Sequence, residues 1–144
     1  MEIITDIEKL RKPARLIEPA DDFTEFVELA DLLLSEMIAH NGQGLAANQL
    51  GYDKRIFVMN LNQGIPICII NPMIMKTRGN YESNEACLSL PGVIVRVKRP
   101  YEIKVKGVNK YFRSVNYRFR GIESRRACHE IDHLDGKLII DYKS

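Results

Sequence analysis

Two histidines four residues apart restrict the fold of this chain more than any other part of its sequence. They lie in the segment His129-Glu130-Ile131-Asp132-His133. Residues four apart share one face of an α-helix, so a helical segment would let both imidazoles reach a single metal ion. Glu130 would lie about 100° further around that helix, close enough to reach a water molecule at the metal without being a ligand. The alternative is a helix that carries two histidines by chance. We favour the metal site, because the chain has only three histidines and two of them have this spacing around a glutamate.

A catalytic metal site of this kind needs a third protein ligand and one open position. His40 is predicted to lie near the end of a helix, where a histidine commonly interacts with the helix dipole. Cys87, in the segment Glu85-Ala86-Cys87-Leu88-Ser89, lies between turn-forming residues, and its thiolate could bind a metal ion. Cys87 is therefore the better candidate, although an isolated cysteine is more often buried packing. We interpret Cys68 and Cys128 as packing.

A glycine-rich segment, residues 42–49, is a further candidate for a binding site. Its glycines allow the backbone to approach a ligand closely, and Gln49 offers an amide donor. The segment lacks the Lys-Ser/Thr ending of a phosphate-binding loop and does not follow a strand, which argues against a nucleotide site. An ordinary turn remains the alternative.

Hydrophobic periodicity predicts an α+β fold. Apolar residues recur at helical spacing from Asp22 to Ile38, with Asp22 as the cap and Asn41-Gly42 as the end. A second helix is expected to begin near residues 121–123, to carry both histidines of the motif and to end at Gly136. Pro72 is expected to separate two strands, and the first twenty residues, which include Pro13 and Pro19, are predicted to be extended. Mostly antiparallel strands are predicted at 55–61, 65–71, 73–78, 93–97, 103–105 and 115–119.

Composition limits the protein to a few classes. The chain has 144 residues, 45% of them apolar and 28% charged, which fits one globular domain over residues 1–144. A formal net charge of +2 does not call for nucleic acid or a membrane as partner, so we expect no direct nucleic-acid site. No apolar run reaches the roughly 18–20 residues needed to cross a bilayer. The N-terminus lacks the pattern of a secretory signal, so we expect a cytoplasmic protein. Three irregularly spaced cysteines argue against a disulfide framework.

Three segments, in order, resemble the signature motifs of the peptide deformylases. The family pattern is G-φ-G-L-A-A-x-Q, E-G-C-L-S and Q-H-E-x-D-H, with φ apolar. This chain reads G-Q-G-L-A-A-N-Q from residue 42, E-A-C-L-S from residue 85 and C-H-E-I-D-H from residue 128. The segments 10–14 and 136–142 also look like the family, so the resemblance covers nearly the whole chain. The sequence ends eleven residues after His133, so we expect a short form without the C-terminal helix of many deformylases, as in bacteriophage-encoded members.

The resemblance implies a fold and a site. The fold would consist of mostly antiparallel sheets packed around a central H-E-x-x-H helix, with an N-terminal amphipathic helix. One divalent metal ion, commonly Fe(II) in cells, would be held by Cys87, His129 and His133. This ligand set also suits zinc, nickel or cobalt. Glu130 would act as general base and then acid, while Gln49 and the backbone N–H of Leu88 would stabilise the oxyanion.

The implied reaction removes the N-formyl group from the N-terminal methionine of nascent polypeptides and releases formate. The implied partners are N-formylated nascent peptides and, weakly, the ribosome, in the cytoplasm of the cell or of a phage host, with no membrane partner. Two alternatives stay open. One is another H-E-x-x-H metallohydrolase, and the other is a non-catalytic or altered-specificity protein that binds formyl peptides on the same fold.

The chain departs from the family pattern where we expect substrate to bind. Gln43 replaces an apolar residue beside Gly44, and Ala86 replaces a glycine after Glu85. Arg125 and Arg126 precede His129 by four and three residues, hence on or beside the metal-facing side of the helix, where the family usually has apolar residues. The two arginines either extend outward or pair with carboxylates, or one enters the pocket and favours polar or acidic side chains. The predicted substrate-binding residues are Gln43, Gly44, Glu85, Ala86, Arg125 and Arg126.

Overall fold

Helices enclose a series of antiparallel strands in the computed structural model, which describes residues 1–18 and 20–143. Within this part of the chain there are three α-helices, seven strands and two short 3-10 turns. The helices are α1 (Ile7–Leu10), α2 (Phe23–Ala39) and α3 (Ile122–Leu134), and the 3-10 turns are Ala47–Leu50 and Ile139–Tyr142. The strands are β1 (Gly44–Ala46), β2 (Ile56–Asn60), β3 (Pro66–Arg78), β4 (Tyr81–Cys87), β5 (Leu90–Arg99), β6 (Glu102–Val108) and β7 (Ser114–Arg120). None of the described helices combines the length and the apolar character needed to cross a membrane.

The two main helices form where the periodicity predicts them. The side chain of Asp22 caps α2 by accepting a hydrogen bond from the backbone N–H of Thr24 at 2.9 Å, and the chain leaves the helix at Asn41, whose φ is 55°. Beyond α3, Gly136 has a φ of 77°. A Cβ at this position would lie 2.2 Å from the carbonyl oxygen of Arg11, so the turn after α3 requires a glycine.

The N-terminal segment differs from the expectation of an extended chain. Asp6 accepts hydrogen bonds from the backbone N–H groups of Glu8 and Lys9, and this side-chain cap begins the single helical turn of α1. Pro19 lies outside the described residues. A four-residue helix is too short to produce a periodic pattern, which is why periodicity could not predict it.

The strands form two antiparallel sheets. One has five strands in the order β1-β2-β3-β6-β7, and the other is the hairpin β4–β5. The predicted break at Pro72 is wrong, because β3 continues through it. The pairing of β3 with β6 shifts register between Ile70 and Met73, and Asn71 has a φ of 51°. This irregularity accommodates the missing N–H of Pro72, as bulges do.

Successive residues of the five-stranded sheet face two different helices. Ile56, Val58 and Ile70 pack with α2, whereas Phe57, Ile69 and Phe119 pack with Ala127, Ile131 and Leu134 of α3. A third cluster joins the β4–β5 hairpin to α1 and to the 3-10 turn at residues 139–142. Fully burying one such aliphatic or aromatic side chain contributes about 1.5–3 kcal/mol. The motif helix α3 is therefore held between the large sheet and the hairpin, as the α+β prediction requires.

Candidate metal centre and active site

The glycine-rich segment forms β1 and the 3-10 turn that follows it. Gln49 is buried in this turn. Its Oε1 accepts a hydrogen bond from the backbone N–H of Ala46 at 3.0 Å, and its Nε2 donates one to Ser89 Oγ at 3.1 Å. The same Nε2 lies 3.8 Å from Cys87 Sγ. The segment therefore fixes the side-chain amide of Gln49 beside Cys87.

Gly44 makes room for the carboxylate of Glu130. A Cβ at residue 44 would lie 2.5 Å from Glu130 Oε2, closer than two unbonded atoms can approach. Glu130 is buried, and among the described residues its Oε1 has no hydrogen-bond partner. Glu130 can therefore keep this position only if residue 44 has no side chain.

Cys87, His129 and His133 converge on one point. Cys87 ends β4, where the hairpin changes register, and the two histidines lie one turn apart on α3. Cys87 Sγ is 3.2 Å from His133 Nε2, and one ligand atom from each of the three residues lies within 4.8 Å of the others. Bonds of about 2.0–2.3 Å to a tetrahedral metal ion would place such ligand atoms roughly 3.3–3.6 Å apart. The three side chains could therefore hold a metal ion after a small adjustment.

A buried ionic network orients His129. Its Nδ1 lies 2.9 Å from Glu85 Oε1, which leaves Nε2 free to face Cys87. Glu85 in turn accepts two hydrogen bonds from Arg99, both at 2.9 Å. Arg99 also donates to Asp132, and the Tyr142 hydroxyl donates to the same carboxylate at 2.6 Å. Hydrogen bonds of this kind fix the tautomer and the ring orientation of a metal-binding histidine.

The electrostatics of the site favour a positive charge at its centre. Burial lowers the pKa of His129, but hydrogen bonds to Cys87 and Glu85 outweigh it and raise this pKa to about 10. Burial holds the pKa of His133 well below its ordinary value, so His133 is neutral, as a ligand must be. Burial raises the pKa of Glu130 to about 7, against the opposing effect of His129. The group therefore suits a metal cation, which would take the place of the proton on His129.

A cavity of about 470 Å³ opens beside these residues. The walls come from the loop before β1, from β4 and from α3. Leu88 and, from the glycine-rich segment, Gly42 and Gln49 line it, together with Asn41 and Asn84, which the sequence did not single out. All of the predicted substrate-binding residues also line it: Gln43, Gly44, Glu85, Ala86, Arg125 and Arg126. The carboxylate of Glu85 is engaged with Arg99 and His129, whereas the Ala86 methyl group is exposed at the cavity.

The other histidine and cysteines lie elsewhere. His40 follows α2, with its Nε2 3.4 Å from Glu36 and 3.1 Å from the carbonyl oxygen of Met1. Cys68 and Cys128 are buried in two different hydrophobic clusters. All three positions agree with the interpretation that these residues do not contribute to the metal centre.

Comparison with known proteins identifies the family. The profile of the polypeptide deformylases matches residues 1–144. The chain belongs to this family. A peptide deformylase of Dictyoglomus thermophilum is 41% identical over 132 residues, which cover 92% of this chain and 84% of that protein. The structure of a probable peptide deformylase from synechococcus phage S-SSM7 is similar with a TM-score of 0.90 at 34% identity, and the match covers 99% of each chain.

A second structure extends this comparison. The deformylase of Vibrio parahaemolyticus bacteriophage VP16T, solved in complex with actinonin, is similar with a TM-score of 0.88 at 33% identity. The match covers 96% of this chain and all of that chain. Membership of the deformylases predicted from the three motifs is therefore confirmed, and neither a different H-E-x-x-H hydrolase nor a non-catalytic binding protein is favoured.

Sequence reasoning missed one residue of this deformylase site that holds several others. Arg99 is 3% exposed, although arginines are rarely buried. A signal was present, since Val95, Val97 and Arg99 alternate with exposed residues along β5. Period-two alternation places Arg99 on the buried face of the hairpin. Ser89, which accepts the hydrogen bond from Gln49, is also buried, but an isolated serine gives no comparable signal.

Proposed function

We propose that this deformylase removes the N-formyl group from the N-terminal methionine of nascent peptides, and that Cys87, His129 and His133 hold the metal ion that the reaction needs. The convergence of these three side chains beside the buried, unpartnered oxygen of Glu130 carries the proposal. We also propose that residues 1–144 act as one catalytic domain, since the cavity is lined from widely separated parts of the chain.

The donor set fits a divalent ion. One thiolate and two imidazoles suit Fe(II), Zn, Ni(II) and Co(II), and we propose Fe(II) in cells because of the family resemblance. When bound, such an ion supplies Lewis acidity, which polarises a carbonyl oxygen and lowers the pKa of a water molecule from about 15.7 towards ~7. We further propose that the enzyme works in the cytoplasm, where nascent peptides are made.

Glu130 is proposed to move the proton. Its pKa of about 7 lets the carboxylate accept a proton from the attacking water near neutral pH and return it to the leaving amine. Gly44 leaves the carboxylate room to reach into the cavity. The same side chain therefore serves as base in the first step and as acid in the second.

Gln49 and Leu88 are proposed to stabilise the negative charge on the formyl oxygen. Gln49 Nε2 carries two hydrogens, and it donates one to Ser89 Oγ at 3.1 Å and the other to Cys87 Sγ at 3.8 Å. The second, long hydrogen bond could be exchanged for one to the formyl oxygen. Leu88 lines the same cavity, and its backbone N–H would supply the second donor. Donors fixed in this way need no rearrangement when charge develops, and losing one typically costs about 10²–10³ in rate.

The two arginines add positive charge to one wall of the cavity. Arg126 donates to the carbonyl oxygen of Asn60 at 2.9 Å, but its Nε is buried without a partner among the described residues. Arg125 lies 3.5 Å from Ser83 Oγ. Within residues 1–18 and 20–143, neither guanidinium forms an ion pair. Burial and the neighbouring Arg125 lower the pKa of Arg126.

This charge bears on which first side chain the cavity accepts. A carboxylate could pair with a guanidinium that has no carboxylate of its own, and hydrogen bonds to charged groups are worth about 1.5–3 kcal/mol. We therefore propose that Arg125 and Arg126 make the pocket more tolerant of polar and acidic side chains than an apolar pocket would be. The aliphatic stems can still contact a methionine side chain.

The test is formate release from formyl-Met-Ala-Ser by protein purified without oxygen and loaded with Fe(II) or Ni(II). The matched variant is Glu130→Gln, which keeps the volume of the side chain but cannot take up a proton as a carboxylate does. We expect turnover by the wild type and a loss of about 10²–10⁴-fold in the variant, with metal content unchanged. Metal binding without any formate release by the wild type would contradict the proposed function.

A further inference from the structure

One face of the large sheet carries a concentration of positive charge. Ile103, Val105 and Phe119 pack towards α3, so the residues that alternate with them along β6 and β7 point to the opposite side. With their neighbours on β3 they form what we call the basic sheet face: Lys76, Arg78, Lys104, Lys106, Arg118, Arg120 and the single carboxylate Glu102.

The strand register places like charges directly opposite one another. Lys76 pairs with Lys104, and Lys104 pairs with Arg118, so three cations form a row across three neighbouring strands. Like charges in this position destabilise a sheet. The next row is different, because Glu102 lies between two arginines and accepts a hydrogen bond from Arg120 at 2.6 Å. Among the described residues no carboxylate forms an ion pair with a cation of the row around Lys104, although Glu102 lies close enough to Arg118 to offset part of its charge.

The charge is distributed unevenly over the molecule. The basic sheet face has six cations and one carboxylate, a net charge of +5, whereas the whole chain has +2. The rest of the chain therefore has a net charge of −3. The six cations include three arginines, whose planar guanidinium groups match the geometry of phosphate oxygens. A small cleft of about 120 Å³ lies between Lys76, Arg78, Glu102, Lys104 and Arg118.

The basic sheet face is open to solvent and separate from the active site. Helix α2 covers the part of this sheet side near Ile56, Ile70 and Val108, and the rows of cations lie beyond it. Lys76, Lys106 and Arg118 are exposed. The cavity beside Glu130 is on the α3 side, so a partner on the basic sheet face would leave it accessible.

We propose that the basic sheet face binds the phosphate backbone of structured RNA. Strands about 4.8 Å apart give the cations a regular spacing, and a polyanion would relieve the repulsion between Lys76, Lys104 and Arg118. Binding through phosphates is largely independent of base sequence. The choice of RNA over an anionic membrane rests on the proposed function, because nascent peptides emerge from a ribonucleoprotein particle. This proposal differs from the expectation of no direct nucleic-acid site, which came from the net charge of the whole chain.

The experiment compares Lys104→Glu with Lys12→Glu. Both variants change the net charge by the same amount, but Lys12 is an exposed residue outside the basic sheet face. The probe is a fluorescein-labelled RNA duplex of about 20 base pairs, titrated by anisotropy at several salt concentrations, with phosphatidylserine vesicles as a second probe. Formate release from formyl-Met-Ala-Ser and the melting temperature are measured on the same preparations.

We expect the wild type to bind the duplex with micromolar affinity at low salt. Lys104→Glu should weaken binding by about tenfold and reduce the slope of log K against log salt by at least ~1, while Lys12→Glu should change both much less. The melting temperature of Lys104→Glu should equal or exceed that of the wild type, because the new carboxylate lies between two cations. If Lys104→Glu binds RNA more weakly but melts no earlier than the wild type, the loss of affinity is due to the lost contact and not to unfolding.

Three outcomes would overturn the inference. They are no binding of the duplex by the wild type at low salt, equal weakening by both variants, and binding of vesicles without binding of RNA. Formate release should be the same in all three proteins, since neither lysine lines the cavity. An absence of formate release would instead contradict the proposed function and would leave the RNA result unaffected.

Discussion

Gly44 provides the space that the carboxylate of Glu130, the proposed general base, occupies. A methyl group at this position would lie 2.5 Å from Glu130 Oε2, so Gly44→Ala must displace the carboxylate. A displacement of about 1 Å can lower the rate by about 10², and we expect a loss of this size in formate release with metal content retained. Gly64→Ala is the control, because nothing lies within 4 Å of the added atom. Its φ of 79° disfavours alanine, so this variant should lose some stability and keep its turnover per folded molecule. Unchanged turnover in Gly44→Ala would refute this account of Glu130.

The effect of Arg125 and Arg126 on substrate preference can be measured as the ratio of kcat/KM values for two formyl peptides. We expect Arg126→Met to raise the preference for formyl-Met over formyl-Glu peptides, expressed as a ratio of kcat/KM values, by about tenfold, because one charge-assisted hydrogen bond is lost. Arg125→Met should act in the same direction. Arg113→Met, at an exposed position outside the cavity, is the matched control. An unchanged ratio in both pocket variants would mean that neither guanidinium contacts the substrate side chain.

At the residue scale, the sequence predicted that Cys87, His129 and His133 come together, but it did not predict Arg99, which holds their neighbours in place. His129 and His133 share a helical spacing and Cys87 lies in a recognisable motif, so local patterns were sufficient. Arg99 contacts Glu85 and Asp132 from a strand that the motifs do not include, and such a contact depends on how distant segments pack. Local sequence carries that information only weakly.

At the scale of elements, the predictions succeeded for α2 and α3 and failed for the continuity of β3. A helix is determined by residues within a few positions of one another, whereas a strand is determined by partners that lie far away in the sequence. The bulge at Asn71 and Pro72 is therefore visible only once β6 is paired with β3. The rows of cations on the basic sheet face are likewise visible only in the structure, because the pairing of β3, β6 and β7 places residues that are distant in sequence side by side.

The 3-10 turn at residues 139–142 gives a pH-dependent contribution to stability. Asp141 accepts two hydrogen bonds from Arg11, at 2.8 and 3.0 Å, and one from the backbone N–H of Leu138 at 3.0 Å. The hydrogen bonds from Arg11 lower the pKa of Asp141. Because the folded pKa lies below the unfolded value of about 3.9, the contribution is complete above that value and is lost as the pH falls through the folded pKa.

Asp141→Asn should therefore lower the free energy of unfolding at pH 7 by no more than about 1 kcal/mol, since the pair is partly exposed. Denaturant titrations at pH 7 and pH 3 would measure this, and the difference from the wild type should be smaller at pH 3. Asp53→Asn, which removes a carboxylate from the exposed pair with Arg15, serves as the control for loss of one charge. A difference that grows as the pH falls would contradict the assignment.

At the scale of the whole molecule, a bound metal ion should stabilise the fold. It would link the end of the β4–β5 hairpin to α3, and anything that binds only the folded state stabilises it, by about 2.7 kcal/mol at a hundredfold excess over Kd. For a chain of this size we expect a chelator to lower the melting temperature by roughly 5–12 °C and added metal to restore it. Cys87→Ala should be insensitive to the chelator. Equal melting temperatures with and without metal in the wild type would argue against a metal site formed by these ligands.

Different residues of α3 pack in the core, form the predicted metal site and line the cavity, and this separation affects how such an enzyme can evolve. Ala127, Ile131 and Leu134 fasten the helix to the large sheet, and the chemistry is concentrated between His129 and His133. Arg125 and Arg126 reach the cavity from the preceding turn without belonging to the core clusters. If the two arginines select the substrate as proposed, substitutions there would change which peptides are accepted and would leave the core contacts of α3 and the side chains from His129 to His133 in place. Single substitutions could then change substrate preference without loss of the fold.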